Sequence, residues 1–416
     1  MSVAEGMARV VGDDVPIEFI AYDGSKAGTP GAPIRLDIRS PLALSHLASA
    51  PGELGLARAY VSGTLEVTGD MYTALAALPK IAVRELPLDL RWTVALRLLT
   101  ARLRWPASPP PQEHRQRGER HSKNRYSAAV SHHYDVSNTF YEWLLGPSMA
   151  YTCAVFPTDN ASLEEAQFAK HDLVARKLAL RPGKRLLDVG CGWGGMVIHA
   201  AQHYGARALG VTLSKEQAEW ASCKIAEYGL SDLAQVRYAD YRDVLETNFD
   251  AVSSIGLTEH IGDAQLPGYF EFLYSKLRAE GRLLNHCITR PNSSYNVRVG
   301  PFINRYVFPD GELESPGRLV SLVQDTGFEV RHEENLREHY AMTLANWCTN
   351  LDDNWAKAVS EVGTGTARVW RLYMAASRLA FERNNIQLHQ ILAVKPDKYH
   401  SGMPLRPNWD PPKCTS

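Results

Sequence analysis

From residue 185 onward the chain alternates short apolar runs with longer segments in which apolar residues recur every three or four positions. The runs "RLLDVG", "ARALGVTL", "AQVRYAD", "FDAVSSIG", "GRLLNHCIT", "FEVRHEEN" and "QLHQILAVKP" predict seven strands. Residues 194–204 and 214–228 predict helices between them. The second opens at Ser214 with Gln217 three residues on, a capping-box spacing, and closes at Gly229. Repeated β-then-α units imply a largely parallel sheet covered by helices on both faces. No internal repeat is evident.

The pattern before residue 105 differs. "PIRLDI" (33–38) alternates as a strand does, "PLALSHLA" (41–48) has helical spacing, and "GLARAYVSGTLEVTG" (55–69) runs from a helix into a strand. These predict a small α+β domain over 1–105. The proline- and charge-rich stretch around 106–125 reads as a linker, which leaves 126–416 as the larger domain.

Composition narrows the class. A chain of 416 residues is long for one core, and 45% hydrophobic with 22% charged residues describes a globular protein. The acidic, mixed N-terminus and the lack of any eighteen-residue apolar run predict neither signal peptide nor membrane span. Six scattered cysteines without metal-ligand spacing predict reduced thiols in a cytoplasm and no metal site. The net charge of −1 hides an asymmetry: Arg91 to Arg125 carries +7, so the remainder carries −8.

The candidate chemistry sits in "LLDVGCGWGG" (186–195), where Gly190, Gly192 and Gly195 have G-x-G-x-x-G spacing. A dinucleotide-binding fold needs an acid at the end of its second strand, about twenty residues on. Here that strand ends in Thr212 and Leu213, and the acid, Asp188, precedes the turn instead. This is the arrangement of S-adenosylmethionine-dependent methyltransferases. Glycine-thin backbone lies against the cofactor, and a carboxylate orients its ammonium end. The bland reading is a structural turn after a strand.

The motifs "SHHYDVSNTFYEWLLGPSMAYTCAVF" (131–156), "GCGWGG", "GVTLSKEQ", "ADYRD", "SSIGLTEHIG" (253–262), "LLNHCITR" (283–290), "INRYVFPDGEL" (303–313) and "HYAMTLANW" (339–347) follow in that order. Together they resemble the cyclopropane-fatty-acyl-phospholipid synthase family, which includes the mycolic acid cyclopropane synthases. The resemblance covers roughly 125–400. It implies an α/β fold: a seven-stranded Rossmann-like class I methyltransferase domain, preceded by the smaller α+β domain of the phospholipid-acting members. It also implies transfer of a methylene from S-adenosylmethionine to a cis double bond of an unsaturated phospholipid, with bound bicarbonate as the base. By motif position, the bicarbonate shell would be Cys153, Glu259, His286, Ile288 and Tyr340. The cofactor shell would be Tyr151, Thr152, Asp188, Gly190, Gly192, Thr212, Leu213 and Gln217, with Tyr241 and Arg242 near the adenine. Two positions depart from the usual family pattern: Thr152 stands where serine is common, and Cys287 where threonine is common.

Without the motifs, most of these residues have ordinary readings. His286 lies in an apolar strand and could be a satisfied core histidine, Cys153 a small core hydrophobe, and Tyr340 a packing aromatic. Glu259 stands apart, because a carboxylate at the end of an apolar strand needs a partner.

The segment 89–105 places Trp92, Leu96, Leu99 and Leu103 on one helical face, flanked by Arg91, Arg97, Arg102 and Arg104. It suits either the surface of an anionic membrane or packing against the N-terminal domain. The resulting expectation is a cytoplasmic enzyme peripheral to the inner membrane face, with a homodimer left open. A non-catalytic lipid-transfer module would not need Asp188, the glycine turn or the Glu259 and His286 motifs, and two enzymatic competitors stand beside it. One is methyl or methylene branching by the same chemistry. The other is a nucleic-acid methyltransferase, disfavoured by the acidic remainder of the chain.

Overall fold

The computed structural model describes residues 1–12, 15–78, 87–114, 137–294 and 298–410. The chain divides into two compact units. The larger comprises Arg117–Val299, Asp310–Asn346 and Ala380–Ser416. The smaller comprises Met1–Gln116 together with Gly300–Pro309 and Trp347–Leu379.

The smaller unit holds a four-stranded sheet in the order β2 (Lys26–Gly28), β1 (Ile17–Ala21), β3 (Ile34–Ile38), β4 (Leu65–Thr68). β1 and β3 are parallel and the outer pairs antiparallel. Alternation in β1 and β3 turns Ile17, Phe19, Ile34, Leu36 and Ile38 into one core with helices α1 (Val3–Val11), α2 (Pro41–Ser49), α3 (Glu53–Val61) and α4 (Met71–Ala77). Ser2 and Glu5 close a reciprocal capping box that starts α1. The α+β character and the elements expected at 33–38, 41–48 and 55–69 are all present.

Helix α5 (Leu88–Arg104) buries only Leu90 and Ala101. Its other apolar stripe faces solvent: Trp92 is 76% exposed, Leu96 65%, Leu99 53% and Leu103 75%. The packing alternative for this stripe therefore fails. Leu96, Leu99 and Leu103 cover no core, while Leu98 and Ala101 on another face of the helix pack against that of the smaller unit.

Two stretches expected in the larger domain, Gly300–Pro309 and Trp347–Leu379, belong to the smaller unit. The expected linker also behaves differently over 106–114. Glu113 is buried, accepts from Arg58 Nε and Nη2 at 2.6 and 2.7 Å, and accepts from Tyr306 Oη at 3.2 Å. A buried, bidentate ion pair anchors this stretch, which composition alone reads as solvated. Residues 115–125 lie outside the described residues, as does the start of the 131–156 motif.

The larger unit is built on a seven-stranded sheet. Its order is β10 (Glu329–Asn335), β11 (Gln387–Val394), β9 (Leu277–Thr289), β8 (Phe249–Ile255), β5 (Arg185–Val189), β6 (Arg207–Thr212), β7 (Ala234–Tyr238). Strands β7, β6, β5, β8 and β9 run parallel, and β11 is antiparallel to both its neighbours. All seven expected strands are found, and the sheet is that of a class I methyltransferase. Leu186 and Leu187 enter different core clusters, so β5 is covered on both faces, with Asp188 as a buried acid within the strand. Among the described residues, no helix is long and apolar enough to cross a membrane.

Candidate active site

Strand order reverses at β5, whose neighbours are β6 and β8. A crevice opens outside the carboxyl ends of such strands. The chain leaves β5 there through Gly190 (φ 75°) and Gly192 (φ 55°), backbone that suits glycine, and enters the helix Gly195–Tyr204. A Cβ on Gly190 would press on Leu257 at 3.2 Å, whereas one on Gly192 would meet no atom within 4 Å. The second glycine therefore borders open space.

Asp188 is buried beside this turn, and its Oδ1 accepts from Ser253 Oγ of β8 at 2.6 Å. Burial pushes its carboxyl up to about 6, against the Ser253 hydrogen bond and the Lys170 charge. The ends of β6 and β7 bring Thr212, Leu213, Tyr241 and Arg242 to the same edge of the sheet. Thr212 Oγ1 donates to Gln217 Oε1 at 2.7 Å. Ser214 Oγ caps the Gln217 amide at 3.3 Å, but the Gln217 side chain turns to Thr212. The expected capping box is thus half formed, because a buried hydroxyl competes for the amide. Arg242 is gripped by Asp240 at 2.8 and 2.6 Å, so its guanidinium is held by a buried acid.

The Tyr151–Cys153 stretch is held by the helix Leu163–Lys177. Gln167 Nε2 donates to the Ala150 and Thr152 carbonyls at 3.2 and 2.9 Å, and Lys170 Nζ donates to Thr152 Oγ1 at 3.0 Å. Burial brings the Lys170 ammonium down to about 8, with Cys153 and Asp188 opposing the shift.

A second group of candidates is linked by backbone contacts. Cys153 Sγ lies 3.1 Å from the Ala154 carbonyl and 3.8 Å from that of Leu336. The Leu336 carbonyl also accepts the Tyr340 amide at 3.1 Å, and the Leu336 amide donates to Leu388 at 2.8 Å. Leu388 is the register partner of Ile288. The Ile288 amide donates to Glu259 Oε1 at 3.1 Å. The amide that the resemblance assigns to the anion is thus engaged by Glu259, since a buried carboxylate takes the nearest donor.

Among the described residues, Glu259 Oε2 and His286 Nε2 are buried without a hydrogen-bond partner, and so is Gln167 Oε1. Burial pushes the Glu259 carboxyl up to about 7, with its own backbone amide and that of Ile288 pulling the other way. Burial, with Lys170 and Lys177 adding to it, holds His286 well below its ordinary value, so the ring is neutral. The Cys153 thiol is pushed up by burial and stays protonated. Tyr340 is buried, with its ring centroid 4.5 Å from that of Phe381.

Sequence reasoning missed Gln167, Lys170, Lys177, Ser253 and Gln390, all buried. Three of them carried a legible signal. Gln167, Lys170, Val174 and Lys177 fall at i, i+3, i+7 and i+10, so polar residues occupy a core stripe of one helix.

Comparison with known proteins identifies the family. The family model for mycolic acid cyclopropane synthetase matches residues 121–391. A probable fatty acid methyltransferase of Mycobacterium tuberculosis is 56% identical over 407 residues, 95% of each chain. A probable fatty acid methyltransferase of Pseudomonas putida is 37% identical over 393 residues, 93% of this chain and 94% of that one. Mycolic acid cyclopropane synthase CmaA1, solved in complex with SAH and CTAB, superposes with a TM-score of 0.61 at 32% identity, covering 65% of this chain and 98% of that one. The chain belongs to the mycolic acid cyclopropane synthetase family of S-adenosylmethionine-dependent methyltransferases.

Proposed function

We propose that this enzyme adds a methylene from S-adenosylmethionine across the cis double bond of a phospholipid acyl chain, giving a cyclopropane. The observation that carries the reading is the pair of buried orphans, Glu259 Oε2 and His286 Nε2. Each such atom costs about 1–3 kcal/mol if left unsatisfied, so the pair suits a polar guest. Bicarbonate has one hydroxyl to give and two oxygens to accept, which suits one acceptor and one donor. Bound there, it supplies a base for the last proton.

The alkene π electrons form a bond to the sulfonium methyl carbon as the C–S bond breaks and S-adenosylhomocysteine leaves. The other alkene carbon becomes cationic, and loss of a proton from the new methyl closes the ring. Asp188 orients the ammonium of the cofactor, the bare backbone at Gly192 admits it, and the Thr212–Gln217 pair lines the same edge. Glu259 would accept the hydroxyl of the anion, and neutral His286 would donate to one of its oxygens. Cys153 and Tyr340 complete the wall of the anion site.

The exposed stripe of α5 supports docking on an anionic bilayer at its cytoplasmic face. Its leucines and tryptophan would enter the interface, with Arg91, Arg102 and Arg104 near lipid phosphate.

One observation favours a second reading, methyl or methylene branching. Two relatives that match nearly the whole chain are named as probable fatty acid methyltransferases. Gas chromatography with mass spectrometry of host phospholipids after expression separates the two. Cyclopropane chains as the main product, with turnover dependent on bicarbonate, support the first. Branched chains formed regardless of bicarbonate support the second.

A further inference from the structure

The two ring nitrogens of His286 have unlike surroundings. Nδ1 lies 3.1 Å from Gln390 Nε2, across the β9–β11 pair in which the two residues are direct register partners. Nε2 is the buried orphan. A neutral imidazole has one donor and one acceptor, so the position of the proton decides whether Nε2 gives or takes a hydrogen bond.

Lys177 makes that choice. Its Nζ lies 2.7 Å from Gln390 Oε1 and 2.5 Å from Glu334 Oε2, with its side chain fully buried. An ammonium has donors only, so it must face the carbonyl end of the amide. The NH2 end of Gln390 then faces His286 and only donates, so Nδ1 accepts and Nε2 carries the proton. Rotating the amide by half a turn would set the Lys177 ammonium against an NH2 group, two donors head to head in a buried site.

We propose that Lys177 and Gln390 are positioning residues that fix His286 as its Nε2–H tautomer, a donor for an oxygen of the bound anion. For its ligand this rests on the bicarbonate reading; for the tautomer it rests on contacts within the protein. It follows that His286 is not the base, because the nitrogen free to act already holds a proton. The Glu334 carboxylate balances the Lys177 charge, so the relay passes orientation to the ring without a net charge.

Nitrogen-15 NMR of imidazole-labelled full-length protein tests this directly, with the His286 signals assigned by their loss in His286→Gln. The expected wild-type spectrum has a neutral His286 protonated at Nε2. Gln390→Glu still accepts from Lys177 but sets an oxygen against Nδ1, so the proton should move there. In that variant KM for bicarbonate should rise by about tenfold or more, the equivalent of one lost hydrogen bond, with S-adenosylmethionine affinity unchanged. The wild-type spectrum settles the tautomer even if the variant does not fold, and Gln390→Met gives a second variant that cannot orient the ring. A wild-type His286 protonated at Nδ1, or cationic near neutral pH, overturns the proposal. An Nε2–H ring with turnover indifferent to bicarbonate upholds the relay and overturns the anion reading instead.

Discussion

The Ile288 amide donates to one oxygen of Glu259 at 3.1 Å, while the other carboxylate oxygen is buried without a partner. The backbone amides of Glu259 itself and of Ile288 do not offset the loss of water, and burial leaves the carboxyl near 7 against an ordinary 4.5.

Activity should follow this carboxyl. If ionised Glu259 accepts the hydroxyl of bicarbonate, kcat/KM for bicarbonate rises with pH through about 7, the value of the unliganded enzyme. Glu259→Gln should remove that limb and most of the turnover. A pH profile at fixed bicarbonate concentration checks both, and an unchanged limb in the variant would exclude Glu259 as its source.

The same carboxyl should cost stability. Its folded value lies above its unfolded one, so its contribution is complete below about 4.5 and lost as pH rises through about 7. Above that range Glu259→Gln should be more stable than wild type, by up to the order of 3 kcal/mol. Denaturant unfolding at alkaline and acid pH should show the gain only at the former.

Gly192→Asp should weaken S-adenosylmethionine binding in a folded protein. Its Cβ would meet no atom within 4 Å, and aspartate tolerates this left-handed backbone better than most residues. Calorimetry should find affinity reduced by at least about tenfold, a loss of roughly 1.4 kcal/mol. Wild-type affinity would remove this turn from the cofactor site.

Neutralising Arg91, Arg97, Arg102 and Arg104 together should weaken binding to anionic vesicles by up to about 1 kcal/mol per charge. Arg97 should contribute least, because it reaches the Met1 carbonyl. Turnover on detergent-dispersed lipid should persist. Co-sedimentation unchanged at low salt would show that α5 does not touch the bilayer.

Glu113→Gln should destabilise the smaller unit by about 3–5 kcal/mol, since it leaves Arg58 buried without its counter-charge. Burial raises the Glu113 carboxyl, but the Arg58 hydrogen bond and charge outweigh it and hold the group below its ordinary value. Its stabilisation is therefore present above the ordinary glutamate range and lost as pH falls. Thermal unfolding should show wild type and variant converging in acid.

The seven strands, the glycine turn and Asp188 were legible in the sequence, because each depends on local pattern. A strand buried on both faces is mostly apolar, so the few polar residues in it stand out, and a left-handed turn favours glycine whatever surrounds it. Only the tertiary structure decided the rest. It gathered Gly300–Pro309 and Trp347–Leu379 with the N-terminal residues, since packing ignores chain order. It left the stripe of α5 in solvent, although helical spacing suits a core or a membrane equally. It also set Gln390 between Lys177 and His286, side chains 213 and 104 positions from it in sequence. Which nitrogen of a histidine holds the proton depends on its partner, and no spacing along the chain names that partner.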